Sequence, residues 1–123
     1  MTDPALRDCR VLVVEDEFML ADELEMELLE AGAIVVGPAG TIEDAFALIR
    51  SGQKIDGVIL DVSLRGEMSF PVADLLIERG VPFVFTTGYD ASVIPARLRH
   101  VVRCEKPVKI AEIIEAIGRL IHA

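Results

Sequence analysis

Three acidic residues that follow short apolar runs are the residues of this chain best suited to chemistry. Glu15 and Asp16 come directly after the run at residues 11–14, and Asp61 comes directly after the run at 58–60. If the two runs are neighbouring parallel strands, three carboxyl groups meet at one edge of a sheet. Closely packed carboxylates repel one another, so such a site needs protons or a cation. Mg²⁺ meets that need, because it suits two or three carboxylates plus waters.

The elements that position these residues alternate short aliphatic runs with longer amphipathic segments. Strands are predicted at residues 11–14, 33–36, 58–60, 83–85 and 101–102. Helices are predicted at 18–31, 42–49, from about Pro71 to the residue before Gly80, at 90–98 and at 108–121. Apolar residues recur at helical spacing in these segments, as Leu20, Leu24 and Leu28 do in the first. Pro95 interrupts the fourth helix, which we therefore expect to be short or loosened.

Five strands alternating with five helices predict an α/β fold with an open, doubly wound parallel sheet. Right-handed crossovers restrict the topology, and the order 2-1-3-4-5 makes strands one and three neighbours. The working site of such a sheet lies beyond the carboxyl ends of the strands, where the strand order reverses. All the polar candidates follow strands at that edge: Glu15, Asp16, Asp61, Thr86, Thr87 and Lys106.

Composition restricts the class of function. The 123 residues, 52% of them hydrophobic, predict one domain over residues 1–123 with an ordered core at about 9–121. The net charge of −9 argues against nucleic acid as a partner, because phosphate binding requires clustered Lys and Arg. We expect a cytoplasmic protein without membrane contact, because no signal core and no run of about 20 apolar residues is present.

Four motifs together resemble the receiver domains of bacterial two-component response regulators, over nearly the whole chain. They are VLVVED at residues 11–16, VILD at 58–61, FTTG at 85–88 and EKP at 105–107. Each is weak alone, but the set is specific in this order and spacing. The resemblance implies a flavodoxin-like fold and a phosphorelay protein that is no enzyme beyond slow self-dephosphorylation.

The resemblance also implies a role for each carboxylate. Asp61 would accept a phosphoryl group from the phosphohistidine of a sensor histidine kinase or a phosphotransfer protein, giving an aspartyl phosphate. Asp16 and Asp61 would bind Mg²⁺ directly, Glu15 would bind it through water, and the backbone carbonyl of Ser63 would add a ligand.

Three further positions complete the implied site. Thr87 would donate its hydroxyl to a phosphoryl oxygen. Lys106 would pair with Asp61 at rest and with the phosphate afterwards. The peptide bond to Pro107 would be cis, as only about one X-Pro bond in twenty is.

The chain departs from the common receiver pattern on strand five. Arg103 stands where many receivers carry an aromatic switch residue, and a guanidinium does not bury in that slot without a partner. The stretch PFVFTTGY at 82–89 resembles a PFxFATGY signature of stand-alone receivers that work with kinases of the HWE or HisKA2 type, with Thr86 in place of Ala. We therefore expect the switch to involve residues 88–98, hinged at Gly88, with Tyr89 as the moving aromatic.

Simpler interpretations stay open for each residue taken singly. Asp61 also fits a turn or a helix cap, and Glu15 with Asp16 also fits a response to a helix dipole. Thr87 also fits a turn, and Lys106 also fits a solvated surface. A degenerate receiver would keep the fold without being phosphorylated.

The leading hypothesis is a single-domain phosphoacceptor, a monomer or weak dimer, that signals to a downstream protein. A phosphate shuttle and a sink that drains a kinase are alternatives within the same class. A phosphate-independent binding module is a third alternative. A small phosphohydrolase with an aspartyl-phosphate intermediate is the fourth, and it is disfavoured because Ser63 stands where such enzymes commonly carry a second Asp.

Overall fold

Parallel pairing of the aliphatic runs builds the centre of the fold, which a computed structural model describes over residues 5–123. Within residues 5–123, seven strands and four α-helices follow one another. They are β1 (Arg10–Val14), α1 (Phe18–Glu30), β2 (Ile34–Ala39), α2 (Ile42–Arg50), β3 (Gly57–Asp61), β4 (Ser63–Leu64), β5 (Glu67–Met68), α3 (Phe70–Glu78), β6 (Phe83–Thr87), β7 (Arg103–Glu105) and α4 (Ile110–Ile121).

The main sheet is parallel, five-stranded and ordered β2-β1-β3-β6-β7. This is the predicted order 2-1-3-4-5, because β4 and β5 form a separate antiparallel hairpin. The α/β fold class with a parallel sheet is therefore confirmed. The strand order reverses between β1 and β3, which lie side by side with Val14 opposite Leu60.

Two apolar cores lie on opposite faces of the sheet because successive strand residues point to opposite sides. In β1, Leu12 and Val14 pack into the core completed by α2 and α3. Val11 and Val13 pack into the core completed by α1 and α4. Burying each of these side chains completely stabilises the fold by roughly 1.5–3 kcal/mol.

Local signals set the helix starts. The Thr41 hydroxyl accepts a hydrogen bond of 3.1 Å from the amide of Asp44 and caps α2. Pro71 lies in the first turn of α3, where its missing N–H is not needed. None of the helices among the described residues is both long and apolar enough to span a bilayer.

The fourth predicted helix is not an α-helix, so the expectation of five helices is wrong. Two single 3₁₀ turns, Ala91–Val93 and Ala96–Leu98, take its place. Ile94 between them has an extended backbone, as the residue before a proline prefers, and Pro95 has no amide to continue a helix. The expectation of a short or loosened element is confirmed.

Two predicted strand boundaries are also wrong. The fifth sheet strand is Arg103–Glu105 rather than residues 101–102, because the amide of Val101 bonds to the carbonyl of Leu98 and closes a turn. Hydrophobicity favoured residues 101–102, but the true strand is polar because it lies at the sheet edge and is only partly buried. In addition, β2 continues past Val36 to Ala39, with a shift in its register against β1.

Candidate functional site

Three carboxylates meet at the carboxyl edge of the sheet. Asp61 is the last residue of β3, and Glu15 and Asp16 follow the last residue of β1. Because β1 and β3 pair directly, each residue places one carboxylate oxygen within 4.8 Å of the others. The convergence predicted from the sequence is present in the structure.

The Glu15 carboxylate is buried, and only one of its two oxygens accepts a hydrogen bond. Its Oε2 accepts a hydrogen bond of 2.9 Å from the amide of Glu17. Its Oε1 lies 3.5 Å from Nζ of Lys106, yet it has no hydrogen-bond partner, alone among buried side-chain oxygens and nitrogens of residues 5–123. Burial, together with the nearby carboxylate of Asp61, raises the pKa of Glu15 to about 8.

Asp61 is 3% exposed and is held from two sides. Its Oδ1 accepts a hydrogen bond of 3.0 Å from the amide of Ser63, and its Oδ2 lies 2.7 Å from Nζ of Lys106. Its backbone carbonyl accepts a hydrogen bond from the hydroxyl of buried Ser69. The carboxylate is thus fixed in place with its partner cation against it.

Lys106 reaches the site from the loop after β7. Its amide donates a hydrogen bond of 2.7 Å to the carbonyl of Thr87, which fixes the start of the loop. Burial opposes the shift, but the contacts with Asp61 and Glu15 raise the pKa of Lys106. The bond from Lys106 to Pro107 is cis, as the resemblance implies.

Asp16 is exposed to solvent, whereas Glu15 and Asp61 are buried. Its Oδ2 accepts a hydrogen bond of 2.9 Å from the amide of Arg65, at the tip of the β4–β5 hairpin. Burial works in the opposite direction, but this amide holds the pKa of Asp16 below its usual range. Asp16 is therefore an ionised oxygen donor at the mouth of the site.

Charge balance indicates a cation at this edge. One ammonium faces three acidic side chains, and an oxygen of Glu15 is buried without a hydrogen-bond partner. The available donors are all oxygens, which suits a hard divalent ion such as Mg²⁺. The residues present fit a metal centre formed by Glu15, Asp16 and Asp61.

The end of β6 adds polar groups beside the carboxylates. Thr87 is fully buried, and its Oγ1 accepts a hydrogen bond of 2.8 Å from the amide of Tyr89. A cavity of about 200 Å³ lies between this segment and the loop after β7. Its lining residues are Thr87, Gly88, Tyr89, Asp90, Glu105 and Lys106. The Tyr89 side chain is exposed and lies at the rim of this space.

Arg103, the atypical position on β7, is paired locally. Its Nη1 lies 2.7 Å from Oε1 of Glu105, which is on the same strand two residues later. The guanidinium is partly buried, and it has the carboxylate partner that a buried cation requires.

Comparisons with known proteins agree with this geometry. No protein-family model matches the chain. Over 90 residues it is 38% identical to the sensory transduction protein LytT of Bacillus subtilis. That match covers 71% of this chain but only 37% of LytT, so the chain spans little more than a third of that relative.

Two solved structures match along their whole length. The BeF3-activated conformation of SdrG from Pseudomonas melonis Fr1 is 34% identical, with a TM-score of 0.75 over 98% of this chain and 99% of SdrG. A response regulator receiver protein from Sinorhizobium medicae is 27% identical, with a TM-score of 0.81 over 96% of this chain and 98% of that one. The chain belongs to the response regulator receiver family.

In this receiver the three predicted carboxylates and Lys106 lie together at one edge of the sheet. The Lys106 ammonium contacts both Asp61 and Glu15, and exposed Asp16 lies at the opening of the site. The carbonyl of Thr87 accepts a hydrogen bond from the Lys106 amide. Tyr89 lies to one side, at the cavity beside the ends of β6 and β7. Arg103 pairs with Glu105, which lines the same cavity, and does not contribute to the cluster of carboxylates.

The elements predicted from the sequence do not include the hairpin that follows Asp61. Its tip carries Arg65 and Gly66, both in the left-handed backbone region, and the Arg65 amide contacts Asp16. A glycine at the second position of a two-residue turn was the available signal. Each strand contains only two residues, which is too short for an alternating apolar pattern to indicate it.

Proposed function

We propose that this receiver accepts a phosphoryl group on Asp61 in a Mg²⁺-dependent reaction and signals through a protein-binding surface that responds to phosphorylation. One observation carries the proposal. The Asp61 carboxylate is buried, lies 2.7 Å from an ammonium and has two further carboxylates within 4.8 Å. Phosphoryl transfer depends mainly on positioning and charge neutralisation, which this arrangement supplies.

The metal centre would use four groups of this chain. Asp16 and Asp61 would bind the ion directly, Glu15 through a water molecule, and Ser63 through its backbone carbonyl. When bound, Mg²⁺ neutralises the charge on the phosphoryl oxygens. The unpartnered oxygen of Glu15 and the acidic excess around it support this assignment.

The transfer step follows from the position of the Asp61 carboxylate. One of its oxygens attacks the phosphorus of a phosphohistidine, so that an O–P bond forms and the N–P bond breaks. The imidazole leaves with the bonding electron pair and takes up a proton from water. Lys106, which lies against Oδ2, would pair with a phosphoryl oxygen, and the Thr87 hydroxyl would donate its proton to another.

A protein donor is favoured over a small phosphate ester by the surface beside the site. Phe18 is 82% exposed and Met19 is 71% exposed at the start of α1. Met19 also lines a groove with Lys106 and Pro107. An apolar surface next to the acceptor fits a docked sensor histidine kinase or phosphotransfer protein. The stretch at 82–89 makes a kinase of the HWE or HisKA2 type the first candidate.

The switch would involve residues 88–98 instead of an aromatic residue on β7. Arg103 is tied to Glu105 and Tyr89 stands at the rim of an adjacent cavity, so the aromatic free to move is on the β6 side. Movement of the Thr87 hydroxyl toward a phosphate would break its bond to the Tyr89 amide. The change at the acceptor would thereby reach Gly88 and Tyr89, and then a downstream protein.

Labelling with radioactive acetyl phosphate or with phosphorylated sensor kinases tests the proposal, each with Mg²⁺ or with EDTA. We expect one-for-one labelling of the wild type in Mg²⁺, and no labelling in EDTA or in Asp61→Asn. Asp44→Asn changes an exposed aspartate at the start of α2 and is the matched control. Equal labelling of Asp61→Asn would sink the assignment, and steady turnover of a phosphomonoester would favour the phosphohydrolase. A wild type that ignores Mg²⁺ and beryllofluoride would be a phosphate-independent module.

A further inference from the structure

The β4–β5 hairpin contacts the proposed metal centre through two backbone amides. The amide of Arg65 donates to Oδ2 of Asp16 at 2.9 Å, and the amide of Ser63 donates to Oδ1 of Asp61 at 3.0 Å. Two of the three clustered carboxylates therefore accept hydrogen bonds from the hairpin, one from Ser63 in β4 and one from Arg65 in the turn.

The pairing pattern explains why these amides face the carboxylates. Just outside the two strands, the amide of Ser69 donates to the carbonyl of Val62, which is one of the two bonds of a hydrogen-bonded antiparallel pair, while the Val62 amide donates to Thr86. In antiparallel strands such pairs alternate with pairs that make no hydrogen bonds to each other. Ser63 and Met68 are the next pair, so both backbone groups of Ser63 point away from the partner strand. Its carbonyl consequently faces the same side as its amide, toward the carboxylates.

The turn places the Arg65 amide on that same edge. Arg65 has φ +50 and Gly66 has φ +82, the left-handed pair that a tight two-residue hairpin turn requires. Leu64 anchors the turn because its side chain is buried in the core. The Asp16 hydrogen bond therefore exists only while residues 65 and 66 keep this backbone conformation.

We propose that the hairpin forms one side of the metal centre and that the Arg65 amide positions Asp16, by holding its carboxylate in the orientation that binds the ion. This inference rests on the Mg²⁺-dependent function proposed above. Asp16 is exposed, and without the hydrogen bond its carboxylate would sample several rotamers. The ion would then have to order that carboxylate, and the affinity would fall.

The hairpin glycine allows a test with a closely matched control. Gly66→Val forces a β-branched residue into the left-handed region, while a side chain at this position meets no atom within 4 Å. Gly52→Val does the same at φ +88, also with open space around it. Gly52 precedes β3, so it lies toward the opposite edge of the sheet from the carboxylates. The two substitutions should destabilise the fold equally and differ only in their distance from the site.

The measurement is the dissociation constant for Mn²⁺, a paramagnetic substitute for Mg²⁺, followed by the electron paramagnetic resonance signal of the free ion. We expect Gly66→Val to weaken binding roughly tenfold, as loss of a hydrogen bond to a metal ligand does, and Gly52→Val to leave it unchanged. Arg65→Asn keeps the amide and suits the left-handed conformation better, so it should bind at least as tightly as the wild type.

Each result has a definite meaning. Equal binding by the wild type and Gly66→Val, or equal weakening by the two valine variants, would overturn the role of the hairpin. Weakening by Arg65→Asn would overturn the role of the amide, because only the side chain is lost there. If the wild type binds no Mn²⁺ at millimolar concentration, the proposed metal-dependent function itself fails. Thermal unfolding of both valine variants checks that their destabilisation matches.

Discussion

Lys106 and Asp61 form an ion pair of 2.7 Å across 45 residues of sequence, with Asp61 almost completely buried. Replacing Lys106 with Met removes the cation that pairs with both Asp61 and Glu15. We expect the free energy of unfolding to fall by about 2 kcal/mol at neutral pH without divalent ions, because buried carboxylates lose a charged hydrogen-bond partner. Urea unfolding measures the change.

Lys109→Met is the control for this prediction. Lys109 lies 4.0 Å from Glu112, and both side chains are largely exposed. Exposed pairs contribute little, so this change should stay within about 0.5 kcal/mol of the wild type. Comparable losses in the two variants would show that the Lys106 pair contributes no more than a surface pair.

Stability in the absence of metal should decrease as the pH rises, because the pKa of Glu15 is raised from 4.5 to about 8. The folded state then binds a proton that the unfolded state releases, so the stabilising contribution is complete below pH 4.5 and is lost by about pH 8. The free energy of unfolding in EDTA should fall by roughly 4 kcal/mol over this interval, because each unit of pKa difference corresponds to about 1.4 kcal/mol.

The shifted pKa values of Lys106 and Asp16 do not produce the same pH dependence between pH 4.5 and pH 8. The raised pKa of Lys106 contributes stability that is constant below 10.5, and the lowered pKa of Asp16 contributes stability that is complete above 3.8. Glu15→Gln should therefore flatten the profile, whereas Glu17→Gln, an exposed change two residues away, should preserve it. A wild-type profile that is flat from pH 5 to pH 8 would contradict the raised pKa.

The sequence predicted the centre of the site because a few long-range rules fix its geometry. Aliphatic runs identify the buried strands β1, β3 and β6, and right-handed crossovers bring their carboxyl ends to one edge. Once β1 and β3 are neighbours, Glu15, Asp16 and Asp61 have to meet. No detail of side-chain packing is needed for that conclusion.

The features that the sequence did not reveal depend on short or exposed elements. The strand Arg103–Glu105 is polar and lies at an edge, so hydrophobicity favoured residues 101–102 instead. The hairpin strands contain two residues each, too few for a periodic pattern. The Asp16–Arg65 bond spans 49 residues and uses a backbone amide, which residue types do not encode.

The C-terminal helix offers a stabilising substitution. Gly118 is buried in the interior of α4, and a side-chain carbon there would lie 3.5 Å from Leu6, an ordinary contact distance. Gly118→Ala should raise the free energy of unfolding by about 0.5–1 kcal/mol, because alanine restricts the unfolded chain and favours the helix.

Gly57→Ala is the contrasting change, at a glycine of β3 that faces α4. A side-chain carbon at this position would lie 2.8 Å from Cδ1 of Ile121, so the Ile121 side chain has to move. We expect a loss of roughly 1 kcal/mol from overpacking. Thermal or urea unfolding of both variants checks the opposite signs, and a destabilised Gly118→Ala would show that the 3.5 Å contact leaves no room.

The proposed switch should be confined to the first half of residues 88–98. Arg97 forms two hydrogen bonds with Asp74 of α3, at 2.9 and 3.0 Å, and the side chains of Ile94 and Leu98 are buried. Tyr89, in contrast, is exposed and bound through its amide to Thr87. Beryllofluoride with Mg²⁺ should therefore shift the amide resonances of residues 87–92 more strongly than those of residues 96–99.

Two variants separate this local switch from a movement of the whole segment. Thr87→Val removes the hydroxyl while keeping the shape of the side chain, so the shifts at residues 88–92 should shrink to about those of the remote helix α2. Asp74→Asn weakens the contact with Arg97 and should extend the shifts to residues 96–99, because the ion pair between the second 3₁₀ turn and α3 is then lost. Amide shifts in residues 88–98 that do not respond to beryllofluoride would rule out a switch on this side of the site.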